Sequence, residues 1–166
     1  TRQIEPGDTA ASYLAARGCA LPHRDGDLRW HPALRHPCGH TGPALVGLVT
    51  DSTTGDRLTL HQTWIAGDGS GRKAAIFKPR LLLAGHRKAR GVIRLWPDDE
   101  VTLGLGVAEG VETALAMARR FTPVWACIDA GNLAAFPPLR GIESLTVAVD
   151  YDPAGVKAGD AVAAAW

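Results

Sequence analysis

The chain has 166 residues, of which 46% are hydrophobic and 21% are charged, and its formal net charge at pH 7 is +1. This size allows a sizeable core in one domain or two small lobes, and the composition is ordinary for a soluble globular protein. Three cysteines at irregular positions argue against a disulfide framework, and no apolar run approaches the roughly 20 residues of a membrane span. We therefore expect a cytoplasmic protein with no membrane partner. The first residue is not methionine and the last lies inside a predicted helix, which suggests a piece of a longer protein.

The N-terminal third predicts one helix, a long loop and a hairpin. Residues 9–18 are predicted to form a short helix that ends at Gly18. Residues 19–43 are predicted to be a loop, because prolines and glycines cluster there, and their His and Cys residues lack the paired Cys units of a structural zinc site. Residues 44–50 and 57–65 are β-rich runs separated by turn residues, which predicts a hairpin.

A basic segment, defined as residues 72–94, follows a glycine-rich turn. No Asp or Glu occurs between Gly69 and Pro97, so positive charge is concentrated here in a nearly neutral chain. Such a patch is typical of surfaces that bind nucleotides or nucleic acid, although a charge run is also often just a solvated face. Apolar runs between the charges indicate strands that present basic side chains on an ordered surface, which favours binding. The rings of Trp64 and Trp96 could stack on bases, but an aromatic residue in a small β-lobe more often belongs to the core. The eight basic residues are Arg72, Lys73, Lys78, Arg80, Arg87, Lys88, Arg90 and Arg94.

From residue 101 onward, predicted strands and helices alternate. This pattern is typical of a parallel sheet whose faces are covered by helices. Residues 97–100 are a plausible boundary, which divides the chain into residues 1–100 and residues 101–166. The predicted strands are residues 101–108, 123–128 and 144–149, and the predicted helical segments are residues 111–120, 130–136 and 154–165.

Three carboxylates follow two of these predicted strands. Glu109 comes at the end of the first strand, and Asp150 and Asp152 come at the end of the third. The carboxyl ends of parallel strands share one sheet edge, so we expect the three side chains to converge there. Like charges held together need a cation, and Mg²⁺ prefers oxygen ligands of this kind. Asp152 before Pro153 is also a good helix cap, so Asp150 is the residue that capping does not explain.

Two motifs resemble the Toprim domain. They are Ala-Glu-Gly-Val-Glu-Thr-Ala-Leu-Ala at residues 108–116 and Val-Ala-Val-Asp-Tyr-Asp-Pro-Ala-Gly at residues 147–155. Toprim domains occur in DnaG-type primases, topoisomerases and nucleases, and this version is similar to the DnaG-like primase proteins of phages, plasmids and integrative elements. The resemblance implies a Rossmann-like α/β fold, with a parallel sheet and helices on both faces, preceded by a smaller α+β basic lobe. It also implies that residues 101–166 are a Toprim domain truncated at its C-terminus.

The same resemblance implies roles for the acids. Glu109 would be the catalytic acid/base or a metal-linked carboxylate, and Asp150 and Asp152 would hold Mg²⁺ or Mn²⁺. DnaG-type proteins have a further acid where this chain has Thr113. Glu112 either substitutes for that acid or lies on the helix surface.

The function implied is that of a primase core, which makes RNA primers on single-stranded DNA. Its partners would be the template, nucleoside triphosphates and a helicase domain or protein elsewhere. A Toprim nuclease that hydrolyses DNA phosphodiesters is the alternative, and a non-catalytic module that binds DNA or a partner is a third. The residues expected to bind nucleotide or nucleic acid are Arg72, Lys73, Lys78, Arg80, Lys88 and Arg90.

Overall fold

The computed structural model describes residues 1–166 and contains eight strands. The strands are β1 (Leu28–Arg35), β2 (Thr41–Asp51), β3 (Arg57–Trp64), β4 (Arg80–Leu82), β5 (Gly91–Arg94), β6 (Gly104–Ala108), β7 (Val124–Ala126) and β8 (Ser144–Ala148). They form one mixed sheet with the order β4-β3-β2-β5-β7-β6-β8, and β1 also pairs with β2. The helices are α1 (Thr9–Ala16), α2 (Val111–Met117), α3 (Ala130–Ala134) and α4 (Pro153–Ala165), and a 3₁₀ turn spans Asp98–Glu100.

The N-terminal strands are antiparallel and are built on a long hairpin. β2 and β3 pair from Ala44↔Trp64 to Thr50↔Arg57, which confirms the predicted hairpin. β4 adds to the outer edge of β3 through the pair Thr63↔Arg80. Three basic residues of the segment, Arg72, Lys73 and Lys78, therefore lie before β4, and the remaining five run from Arg80 at the start of β4 to Arg94 at the end of β5.

The predicted loop at residues 19–43 was wrong, because it contains strand β1. β1 pairs with the first part of β2, and its register shifts between His31 and Leu34. Pro32 lies at this irregularity, where a missing backbone donor and a fixed φ are tolerated. An alternation interrupted by proline does not resemble a strand in sequence, and only its pairing with β2 makes it one.

The C-terminal part contains the predicted parallel strands. β6 lies between β7 and β8 and runs parallel to both, with Ala108 opposite Ala126 on one side and Ala148 on the other. β5 runs antiparallel to β7, so the N-terminal and C-terminal strands share one sheet. The division of the chain at residue 100 stays a prediction.

Helices cover both faces of this sheet, as expected. α1 and α2 pack on one face, where Leu14 and Leu115 are fully buried in a cluster with Ala108. α3 and α4 pack on the other, where Leu133 and Val162 contact the cluster that contains Val107. Neighbouring residues of β6 therefore serve opposite faces, which is why the whole strand is apolar. None of the helices is long and apolar enough to cross a membrane.

Candidate active site

The three predicted carboxylates lie at one edge of the sheet. Because β6 and β8 are parallel and in register at Ala108↔Ala148, Glu109 and the residues after Ala148 leave the sheet at the same level. Burial raises the pKa of Glu109, and the negative charges of Asp150 and Asp152 raise it further. The structure thus brings together three acids that come from two separate segments of the chain.

Asp150 is held by the helix that follows β6. Its Oδ1 accepts a hydrogen bond of 3.0 Å from the hydroxyl of Thr113, in the first turn of α2. The position at which DnaG-type proteins carry an acid is therefore in direct contact with this carboxylate. In this chain, Thr113 donates a hydrogen bond to the Asp150 carboxylate and adds no further negative charge beside it.

Asp152 caps helix α4, as its sequence context indicated. Its Oδ1 accepts a hydrogen bond of 2.8 Å from the backbone N–H of Gly155, and Pro153 begins the helix. A Cβ at Gly155 would collide with the carbonyl oxygen of Asp150, so a glycine is needed for α4 to start this close to the site. The cap uses one oxygen of Asp152, and the other remains available to a ligand.

A fourth acid, Asp129, stands at the same edge and was missed in the sequence. It follows β7 and caps α3 by accepting a hydrogen bond of 2.8 Å from the backbone N–H of Asn132. Its charge also contributes to the raised pKa of Glu109. Ile128 before it has a φ of 65°, a costly conformation for a β-branched residue. The signal that could have found Asp129 is its position after a strand and before a helix, the same position as that of Asp152.

The donor set has the chemistry that Mg²⁺ requires. Carboxylate oxygens are its preferred protein ligands, and a cation would relieve the repulsion that raises the pKa of Glu109. However, no group of three His, Cys, Asp or Glu side chains is arranged so that it could hold a metal ion. Binding an ion with Glu109, Asp150 and Asp152 therefore requires side-chain rotation at this edge.

Glu112 is neither a helix-surface residue nor a neighbour of Asp150. Its Oε1 accepts a hydrogen bond of 2.7 Å from the hydroxyl of Tyr13 and lies 3.4 Å from the ammonium of Lys73. Burial opposes its ionisation, but the charge of Lys73 and the bond from Tyr13 outweigh it and lower the pKa of Glu112. Glu112 thus links α2 to α1 and to the start of the basic segment.

Most of the predicted basic surface is neutralised within the chain. Six of its eight cations lie within 4.0 Å of a carboxylate, and Asp51, which is fully buried, takes two of them. Lys88 lies 2.9 Å from Asp129, at the acidic edge itself. The other pairs are Arg72 with Asp68, Lys73 with Glu112, and Arg94 with Asp98, and those to Asp51 are from Arg87 and Arg90.

Lys78 and Arg80 are the exceptions, since both are exposed and neither has a carboxylate within 4.0 Å. The charge of Arg80 lowers the pKa of Glu109, against the effect of the acids. Burial lowers the pKa of His61 to about 4, and Arg80 acts on it in the same direction. Arg80, which pairs with Thr63 of β3, therefore acts electrostatically on both His61 and Glu109.

The two tryptophans differ in their environment. Trp64 is fully buried, packs edge-on against His36 at 4.6 Å and donates its indole N–H to the carbonyl of Leu34. Its ring belongs to the core and has no face free for a base. Trp96 is partly buried and packs against the main core cluster, whereas Trp64 belongs to a small separate cluster with Ala44 and Ala74.

Comparison with known families divides the chain into two matched parts. A family described as a domain of unknown function (DUF7146) matches residues 1–95, and the Toprim domain matches residues 104–166. No curated protein and no solved structure matches the chain.

Proposed function

Since this chain belongs to the DUF7146 family and carries a Toprim domain behind that region, we propose that it is the catalytic core of a DnaG-like primase. Toprim domains are found in primases, topoisomerases and nucleases, and they are usually catalytic modules for phosphoryl transfer. The proposed reaction joins nucleoside triphosphates into a short RNA primer on single-stranded DNA, in the presence of Mg²⁺.

One observation carries this proposal, namely the convergence of Glu109 with Asp150 and Asp152 at the carboxyl ends of the parallel, in-register strands β6 and β8. The unpaired cation Arg80 adds positive charge that acts on the same edge. Phosphoryl transfer needs positioning and charge neutralisation more than covalent chemistry from the protein. The charge of Arg80 acts directly on Glu109, although the two residues belong to different matched regions. A polyphosphate placed between them would meet a guanidinium on one side and the carboxylate edge on the other.

The carboxylates have distinct tasks in this proposal. Glu109 has a raised pKa, so it is suited to accept the proton of an attacking 3′-hydroxyl. Asp150, held in place by Thr113, and the free oxygen of Asp152 would hold Mg²⁺ beside Glu109. When bound, Mg²⁺ would supply the positive charge that a triphosphate and its leaving pyrophosphate need.

The test is primer synthesis by the full-length protein. Single-stranded template, labelled nucleoside triphosphates and Mg²⁺ should yield labelled oligoribonucleotides, and Asp150→Asn should abolish them. Glu143→Gln is the matched control, because Glu143 is an exposed acid directly before β8, at the opposite end of that strand from Asp150. Unchanged synthesis by Asp150→Asn would overturn the site.

The same assay separates the alternatives. Shortening of labelled DNA without incorporation of nucleotides would identify a nuclease that uses the same acids. Binding of single strands with neither incorporation nor shortening would identify a non-catalytic module. Arg80→Gln should reduce primer synthesis, whereas Arg72→Gln removes an equal charge that is already paired with Asp68 and should not.

A further inference from the structure

The two cations of the basic segment that have no carboxylate partner, Lys78 and Arg80, follow closely after an exposed aromatic residue. Phe77 is 74% exposed and directly precedes Lys78, and Arg80 follows two residues later. We propose that Phe77 is a stacking platform for one base of a single-stranded nucleic acid, with Lys78 and Arg80 binding the adjacent phosphates. This inference rests on the proposed function, for which it names the surface that receives the strand.

The exposure of Phe77 is not due to a loose chain. The segment is tied to Trp64 at both ends, since the N–H of Ala74 donates to the Trp64 carbonyl at 2.9 Å and the Pro79 carbonyl accepts from the Trp64 N–H at 2.8 Å. Between these anchors, the backbone of Lys78 adopts a φ of 49°. Phe77 is therefore presented outward from a fixed arch on β3, and it contributes nothing to the core clusters.

The ring is already in a cationic environment. The ammonium of Lys78 lies 5.2 Å from the centroid of the Phe77 ring, a cation–π distance. That contact occupies one side of the ring and leaves the other for a flat partner. Aromatic rings beside unpaired cations are the combination with which proteins bind single strands, because every unpaired base has a π-face.

Charge identifies the partner as a polyanion. The chain has no acid between Gly69 and Pro97, so nothing near Phe77 in sequence could pair with a basic partner. A duplex keeps its bases stacked inside and cannot offer one to a fixed ring, whereas a single strand can. Arg80 begins β4 directly after the arch, and its charge also acts on Glu109 at the acidic edge.

The experiment compares oligonucleotides with and without bases. Binding of fluorescent oligodeoxythymidylate and of an abasic oligonucleotide of equal length is measured with the whole chain, without nucleotides or Mg²⁺. Phe77→Leu keeps an apolar side chain but removes the ring, so it should weaken binding to oligodeoxythymidylate about tenfold and leave binding to the abasic strand unchanged. Phe77→Trp should retain the wild-type affinity. Leu83→Ala, at another exposed apolar residue of the segment, is the matched control.

The outcomes are distinct from those for primer synthesis. Equal loss on both strands, no loss in Phe77→Leu, or no binding by the wild-type chain would overturn the stacking role. If Phe77→Leu binds as tightly as the wild type while primers are still made, the stacking role of Phe77 is wrong and the proposed function stands. If Phe77→Leu loses affinity only for the strand with bases but the protein makes no primer, the stacking role stands and the proposed function is wrong.

Discussion

The hydroxyl of Thr113 donates a 3.0 Å hydrogen bond to Asp150 and thereby joins the first turn of α2 to the chain that leaves β8. Few other contacts connect these two elements, because α2 packs mainly against β6 and β7, whereas β8 lies on the other side of β6 from β7. The orientation of Asp150 thus depends on a residue 37 positions earlier in the chain.

We predict that Thr113→Val lowers Mg²⁺-dependent activity about tenfold, because residues that orient a metal-binding carboxylate typically contribute this much. Thr113→Ser keeps the donor and should retain most of the activity. The measurement is the Mg²⁺ concentration for half-maximal activity, which should rise in Thr113→Val. A loss that is equal in both variants would contradict a role through the hydrogen bond.

Glu109→Gln should stabilise the metal-free protein at neutral pH. The folded state raises the pKa of Glu109, so the folded chain retains this proton to a higher pH than the unfolded chain does. Stability is therefore lost as pH rises from the ordinary glutamate pKa through the raised one. Above this window the variant should melt at a higher temperature than the wild type, and below it the two should agree.

Thermal unfolding in chelator across pH 3.5 to 8 checks this prediction, with about 0.5 pH unit between measurements. Glu5→Gln, at an exposed acid remote from the edge, is the control. Adding Mg²⁺ should raise the melting temperature of the wild type more than that of Glu109→Gln. A variant that is less stable at every pH would show that the carboxylate is stabilised by contacts other than those described.

Glu112 should behave in the opposite way. Its pKa is lowered by Lys73 and by the Tyr13 hydroxyl despite burial, so its stabilising effect is present above the ordinary glutamate pKa and is lost as pH falls through the lowered one. Glu112→Ala leaves the hydroxyl of the buried Tyr13 and the ammonium of the partly buried Lys73 without their partner, and it should cost about 3 kcal/mol. Urea unfolding of Glu112→Ala, Lys73→Met and the double variant measures the coupling free energy between Glu112 and Lys73. A coupling free energy of zero would show that this ion pair does not contribute to stability.

Asp129→Asn should release Lys88 for phosphate binding. The amide keeps an oxygen for the helix cap but loses the ion pair, and a pair this exposed is worth at most about 1 kcal/mol. The logarithmic salt dependence of single-strand binding should steepen by about 0.7, the value for one more phosphate contact. Asp129→Ala gives the same release but removes the cap. An unchanged slope in Asp129→Asn would mean that Lys88 does not reach the strand.

Much of the C-terminal part follows from sequence, because its signals are local. An apolar run such as residues 144–149, followed by Asp150 and the Asp152–Pro153 pair, specifies a strand, a turn and a capped helix without reference to the rest of the chain. Parallel pairing then follows from the alternation of strands and helices, and with it the convergence of Glu109 on Asp150.

The tertiary structure decided what depends on distant partners. Strand β1 exists because β2 supplies its hydrogen bonds, although Pro32 conceals it in the sequence. The sequence does not show whether a lysine has a carboxylate partner. Lys73 and Lys78 therefore look alike in sequence, and only the structure shows that Glu112 pairs with Lys73. Sequence alone therefore determined the three acids Glu109, Asp150 and Asp152 and the strands that precede them, whereas Asp129 was found only in the folded chain. Only the tertiary structure decided which cations remain free to bind a phosphate, because ion pairs form between residues that are close in space and often distant in sequence.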